Sequence, residues 1–450
     1  MAHTQTALSL NYQEQLKASI RAATIAQMQE AALYSSDQAA AFYKLGNQAE
    51  RLQMWQEAAQ AYQAAIARSS SHNSLWYYRL GYVLMQMEQW AQAAEAFVDT
   101  RIFKQAHGID MSRYEKDAGL MQIMEYTEYL ETSSIKKKTI LYESFLGASL
   151  GCNPYAIYQK IVDKPEFSDF THVWSITDET ELPFDFVQRP NTILIKRQSS
   201  AYRRYVATVE YLINNVSFPF WFIRREGQKY LNTWHGTPLK GLGKDMPGEF
   251  MVHGNVTRNF LHATHLISPN THTSDAMMKS YGVAGIFDGM LAETGYPRID
   301  STLNSTVAEK TKLKKQLGLS DKLPVVLYAP TWRGVQGKVQ TDVERILQDI
   351  KKLCADNYQL VFRGHHFAEK ALKNVGIPVV VAGQNVGANQ LLAITDVLIT
   401  DYSSIFFDFL PTRRPIVYYA YDLEEYSATR GLYFPLDTMP GSLCQSINNI

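Results

Sequence analysis

Cysteine is scarce in this 450-residue chain, which holds only Cys152, Cys354 and Cys444. An odd, widely spaced set builds no disulfide framework, shows no metal-ligand spacing, and fits a reducing compartment. Net charge is missing as well, because 44 Lys and Arg balance 44 Asp and Glu. No global field gathers nucleic acid or acidic lipid, so nucleic acid is not an expected partner and any anion must be held by a local cluster. No apolar run reaches about 18 residues, so no membrane-spanning helix is expected. The start, "MAHTQTALSLNYQEQLK", lacks the basic-then-apolar pattern of a secretory signal. These absences suit a cytoplasmic protein and leave open peripheral attachment at the inner face of the membrane. Also absent are a P-loop, an Asp-x-Asp element, and metal spacing among the histidines.

Hydrophobic residues make up 46% of the chain, enough for two or three cores at this length. The first third reads as helix. "AAFYKLGNQAERLQMWQEAAQAYQAAI" recurs 35 residues later as "SLWYYRLGYVLMQMEQWAQAAEAFVDT". Leu45-Gly46 aligns with Leu80-Gly81, Trp55 with Trp90, and Tyr62 with Phe97. This pattern resembles the tetratricopeptide repeat, although Ala49 and Leu84 stand where that repeat carries Tyr. The resemblance implies stacked helix pairs whose concave face takes a partner protein, acceptor polymer or a second copy. An ordinary amphipathic bundle is the plainer alternative. Helices near residues 10–34 and 110–132 are expected to complete the stack.

From "KKKTILYESF" onward, short β-rich runs alternate with helical stretches. "TILYESF", "HVWSIT", "TILIKRQ", "VEYLINNV", "PFWFIRR" and "THLISPN" form one series; "PVVLYAPTW", "YQLVFRGHH", "PVVVAG", "DVLITDYSS" and "PIVYYAY" form a second. Such alternation predicts parallel sheets covered on both faces, hence two doubly wound α/β domains. The expected division is a helical module over 1–135, a first α/β domain over 136–305 and a second over 306–450.

Ligands of open parallel sheets bind beyond the carboxyl ends of the strands. The second series delivers Thr331-Trp332-Arg333, Arg363-Gly364-His365 and Asp401-Tyr402-Ser403-Ser404 to those ends. Ser403 and Ser404 open a helix, where free N–H groups and hydroxyls favour an anion; simple capping is the alternative. Asp408, further along that helix, either accepts from a polyol hydroxyl or pairs with Arg413 or Arg414. The first series supplies the facing wall through "YLNTWHGTPLKGLGKD", with Trp234, His235, Gly236, Thr237 and Pro238 after a strand, and through Arg298 in "ETGYPRID". Lys240 and Lys244 lie within reach of an anion or are solvated. His253, His262, His265 and His272 lack such context and read as structural.

Together "YLNTWHGTPLK", "TGYPR", "APTWR", "RGHHF", "LITDYSSIFFDF" and "RGLYF" resemble, in order, the CDP-glycerol glycerophosphotransferase family of teichoic acid and capsule polymerases. The resemblance covers roughly residues 138 to 440. It implies the two-domain GT-B architecture, His235 as general base and His365 as second catalytic histidine. It puts the donor contacts on Trp234, Gly236, Thr237, Pro238, Arg298, Thr331, Trp332, Arg363, Gly364, Ser403, Ser404 and Asp408. It implies CDP-glycerol and a polymer or glycan acceptor as substrates, no bound metal and no required cofactor, with Mg2+ left open. Relatives continue past "RGLYFPLDTMPG", so a truncated second domain is expected. Ribitol in place of glycerol, a nucleotide-sugar glycosyltransferase, and an assembly scaffold with a degenerate catalytic half are the alternatives.

Overall fold

The computed structural model describes residues 2–71, 73–104, 117–247, 253–331, 333–335, 338–340, 342–364, 369, 372, 377–383 and 385–450. The chain forms two compact units, Met1–Met121 and Gln122–Ile450.

The first unit is helical: α1 (Ala2–Leu33), α2 (Gln38–Arg51), α3 (Trp55–Arg68), α4 (Ser74–Gln86) and α5 (Trp90–Lys104). The 35-residue sequence recurrence is a recurrence of contacts. A methyl group on Gly46 would stand 2.5 Å from the Tyr62 ring, and one on Gly81 would stand 2.8 Å from the Phe97 ring. Each glycine thus lets an aromatic ring of the next helix lie against backbone. The turns repeat too: Gln53 and Glu88 take left-handed conformations, and Met54 N and Gln89 N donate to Ala49 O and Leu84 O. Ala58, Ala65, Leu84 and Ala93 are buried in one shared core.

The helix Ala118–Thr132 was expected to close this stack, but from Gln122 onward it belongs to the second unit. Tyr126 Oη donates to Ile223 O, and Glu125 pairs with Arg203. That docking pairs buried polar groups on both sides.

The second unit holds two parallel sheets. The first contains β1 (Lys136–Glu143), β2 (Thr171–Ile176), β3 (Thr192–Lys196), β4 (Val209–Asn214), β5 (Lys229–Asn232), β6 (His265–Ser268) and β7 (Met290–Glu293), in the order β3-β2-β1-β4-β5-β6-β7. The span of the second sheet is interrupted by a short antiparallel pair. The pair is β9 (Arg333–Val335) and β10 (Lys338–Gln340), which lie between β8 (Val325–Ala329) and β11 (Gln359–Phe362). With β12 (Val379–Val381), β13 (Val397–Thr400), β14 (Ile416–Tyr419) and β15 (Ser442–Cys444), the order is β12-β11-β8-β13-β14-β15. Each order reverses direction beside its first strand, which opens a crevice at the carboxyl edge.

Side-chain alternation explains why both faces are covered. Along β8, Val325, Leu327 and Ala329 enter one core while Val326 and Tyr328 enter the other. The segment "PFWFIRR", expected as a strand, is not one. Pro219 lacks an N–H, and the backbone of Phe218, Pro219 and Phe222 is bonded by the side chains of Asn259 and Arg258. Its place in the sheet is taken by β5. Among the described residues, no helix is long and apolar enough to cross a membrane.

Candidate active site

The loop after β5 carries a strained residue. Trp234 has φ +49°, a region costing a bulky side chain roughly 1–3 kcal/mol. Side chains hold it there: Asn232 Oδ1 accepts from Trp234 N, and Asn153 Nδ2 donates to Thr233 O and Trp234 O. The Trp234 ring is buried against Phe260 and Tyr281, so it anchors the loop and does not line the cleft. Thr237 is buried as well, and Pro238 O accepts from His272 Nε2 at 2.9 Å.

This anchoring turns His235 into a cleft of about 520 Å³, also lined by Phe145, Cys152, Lys240, Arg298 and Thr331. Arg363, Gly364, Ser403, Ser404 and Asp408 complete the expected residues on it. His235 Nδ1 lies 2.7 Å from Asn215 O, a carbonyl that accepts, so Nδ1 carries the proton and Nε2 the lone pair. Burial pushes the imidazole down to about 4; the Asn215 bond opposes this shift and the Arg298 charge adds to it. His235 is therefore neutral at pH 7.

The two walls touch at Gly236, where an added Cβ would stand 2.8 Å from Ser404 Oγ. Ser403 and Ser404 precede a helix of only five residues, Ile405–Phe409, so hydroxyls and nearby N–H groups outweigh any helix dipole there. Ser403 Oγ accepts from Ile405 N at 3.3 Å.

Arg298 and Asp408 meet each other. Arg298 Nε and Nη2 donate to the Asp408 carboxylate at 2.6 and 2.9 Å, and both side chains are buried. Asn389 Nδ2 adds a third donor to Asp408 at 3.2 Å, and Arg298 Nη1 faces Cys152 Sγ at 3.0 Å. The expected Asp408 partners are engaged otherwise or exposed: Arg414 donates to Ala393 O and Thr395 O, and Arg413 lies at the surface.

Arg333 grips Asp422 through Nε and Nη2 and Asp401 through Nη1. Asp401 in turn accepts from Thr331 N, which ties the ends of β8 and β13 together. Arg363 Nη1 donates to Gly383 O and Val386 O, both at 2.7 Å. Trp332 and His365 lie outside the described residues. Lys240 lines the cleft and Lys244 is exposed, a distinction the sequence did not draw. Asn153 and Asn215, which hold the histidine loop, were not among the expected site residues. Among the described residues, no group of three or more His, Cys, Asp or Glu is placed to hold a metal ion.

Residues 124–450 match the family model described as CDP-glycerol:poly(glycerophosphate) glycerophosphotransferase. The chain is 31% identical over 331 residues to a teichoic acid poly(glycerol phosphate) polymerase of Bacillus spizizenii, covering 70% of this chain and 82% of that one. It is 33% identical over 331 residues to the polymerase of the same description from Bacillus subtilis, covering 69% of this chain and 43% of that one. Among solved structures, the wall teichoic acid polymerase TagF superposes with a TM-score of 0.62 at 27% identity, over 75% of this chain and 85% of that one. A histidine variant of TagF soaked with CDPG gives a TM-score of 0.63 at 26% identity, with the same coverage. The chain belongs to the CDP-glycerol:poly(glycerophosphate) glycerophosphotransferase family.

Proposed function

We propose that the cleft binds CDP-glycerol and that His235 Nε2 is the general base of glycerol phosphate transfer. The acceptor hydroxyl oxygen attacks the glycerol-bearing phosphorus while its proton passes to Nε2. The bond from that phosphorus to the CMP oxygen breaks, and CMP leaves with the electron pair. The observation that carries this reading is the His235–Asn215 hydrogen bond, because it fixes the tautomer that accepts at the cleft. Thr331, Ser403, Ser404 and Gly364 surround the phosphates in this reading. Arg298 and Asp408 frame the site as a pair, and His365 is the second catalytic histidine.

The same reading takes residues 136–305 as the acceptor side and 306–450 as the nucleotide side of a GT-B pair. The helical unit, up to Met121, is a tetratricopeptide-like module for a partner protein, the acceptor polymer or a second copy. The place of action is the cytoplasm, at the inner face of the membrane. The glycine–ring contacts spaced 35 residues apart support the repeat assignment.

The donor is tested by incubating the chain with CDP-glycerol, CDP-ribitol and nucleotide sugars beside a short polyol phosphate acceptor. CMP release and a product heavier by one glycerol phosphate are expected from CDP-glycerol. Preferential use of CDP-ribitol or of a nucleotide sugar would contradict the reading.

A further inference from the structure

The cations around the cleft differ in what holds them. Arg298 is matched by Asp408, and Arg333 by Asp401 and Asp422. Arg363 gives Nη1 to two backbone carbonyls. Among the described residues, Lys240 Nζ makes no hydrogen bond and has no carboxylate within 4 Å, yet the residue is half-buried and lines the cleft. Leaving an ammonium so placed is costly unless an anion joins it.

The backbone makes that placement firm. Leu239 belongs to the loop after β5 but is buried in the core that covers the second sheet. Its carbonyl accepts from Tyr433 N at 2.8 Å, and Gly241 N donates to Gly431 O at 3.1 Å. Lys240 itself bridges Leu432 in antiparallel fashion. The lysine is clamped on both sides against the second half, with its Nζ 5.8 Å from the centre of the Tyr426 ring. On the same cleft, the buried hydroxyl oxygen of Thr331 also lacks a partner among the described residues. A preplaced cation and an orphaned donor on one wall are both features that an anionic oxygen ligand satisfies.

We infer that Lys240 is the counter-charge for the diphosphate of the bound donor, a group that the resemblance placed among contacts including Arg298, Thr331, Arg363, Ser403 and Ser404. The inference rests on the reading of this cleft as the CDP-glycerol site. Negative charge grows on the departing CMP phosphate, so Lys240 lowers the barrier as well as holding the substrate. Burial lowers the ammonium to about 8, with Arg430 and Arg333 adding to the shift and Asp401 opposing it. It is still mostly charged at pH 7.

The test measures the affinity of the full chain for CDP, CMP and cytidine by calorimetry, for the wild type, Lys240→Met and Lys240→Arg, together with kcat and KM for CMP release. Lys240→Met should weaken CDP by roughly tenfold to a hundredfold, CMP by less, and cytidine not at all. It should lower kcat as well, and Lys240→Arg should recover most of both losses. Equal binding of CDP by the wild type and Lys240→Met overturns the assignment alone. So does an equal loss for cytidine, or a rise confined to the KM of the acceptor. A wild type that binds no CDP overturns the reading of the cleft, and the assignment with it.

Discussion

Arg298 and Asp408 stand 110 residues apart in the chain and meet as a two-pronged ion pair beside the cleft, with contacts of 2.6 and 2.9 Å. The Arg298 backbone N donates to Asn153 Oδ1, and Asn153 also holds the histidine loop. The pair therefore couples the helix Pro297–Leu303 after β7, the loop after β5 and the helix after β13.

Removing one partner leaves a buried charge unmatched. Asp408→Ala should lower stability by about 3–5 kcal/mol. Asp408→Leu combined with Arg298→Met should cost less than either change alone. Urea unfolding followed by fluorescence measures both; single variants as stable as the wild type would show that the pair is solvated.

His235 should leave a mark on the pH dependence of stability. Its folded-state value lies near 4, below the ordinary 6.5, because burial disfavours the charged ring. Between those two pH values the unfolded chain binds a proton that the native chain refuses. The stability contributed by His235 is therefore full above about pH 6.5 and falls as the pH drops toward 4. His235→Gln should lose less stability than the wild type between pH 7 and pH 5; identical slopes would contradict the shift.

The same shift sets the acid limb of activity. The pH profile of kcat/KM reports the free enzyme, so the His235 limb is expected near pH 4 and not near 6.5. CMP release measured from pH 4 to 8 checks this, over the range in which the chain stays folded. A limb at 6.5 would mean a solvated imidazole.

Gly236 is the point where the walls touch. In Gly236→Ala the new methyl meets Ser404 Oγ at 2.8 Å and Cβ at 3.3 Å, so the Ser404 hydroxyl turns away from the cleft or the walls part. A displacement approaching 1 Å in such a site costs up to about a hundredfold in rate. CMP release should fall by about tenfold or more while the melting temperature changes little; unchanged turnover would show that Ser404 yields freely.

In the helical unit, Gly81→Ala drives a methyl into the Phe97 ring at 2.8 Å. Overpacking of this kind costs roughly 1–3 kcal/mol. Pairing it with Phe97→Leu should restore part of the loss in thermal unfolding of the helices. No recovery would mean that the ring is not the obstacle.

Much of the second unit was legible because its strands are apolar runs that end in polar residues. "VVLYAP", "QLVF" and "VLIT" became β8, β11 and β13, and their carboxyl ends meet on one cleft. The strands that escaped notice are short and poorly buried: β7 has no buried residue and β15 is three residues long. "PFWFIRR" misled because Trp221 and Phe222 are buried without a sheet while Phe220 is exposed, and side-chain bonds from Asn259 and Arg258 hold the segment. The partner of Asp408 was unreadable for another reason. Arg413 and Arg414 are its sequence neighbours, whereas Arg298 comes from the other half, and nothing local marks a contact across the fold. Burial also divides Lys240 from Lys244, only four residues apart, through the insertion of Leu239 into the second core.

The most direct test of the account is CMP release from CDP-glycerol by the wild type and His235→Gln, with CDP affinity measured on both. The account predicts release lowered by roughly a hundredfold to ten-thousandfold, with CDP affinity held within about twofold and the fold intact. A folded His235→Gln chain that releases CMP at a rate close to the wild type would contradict it.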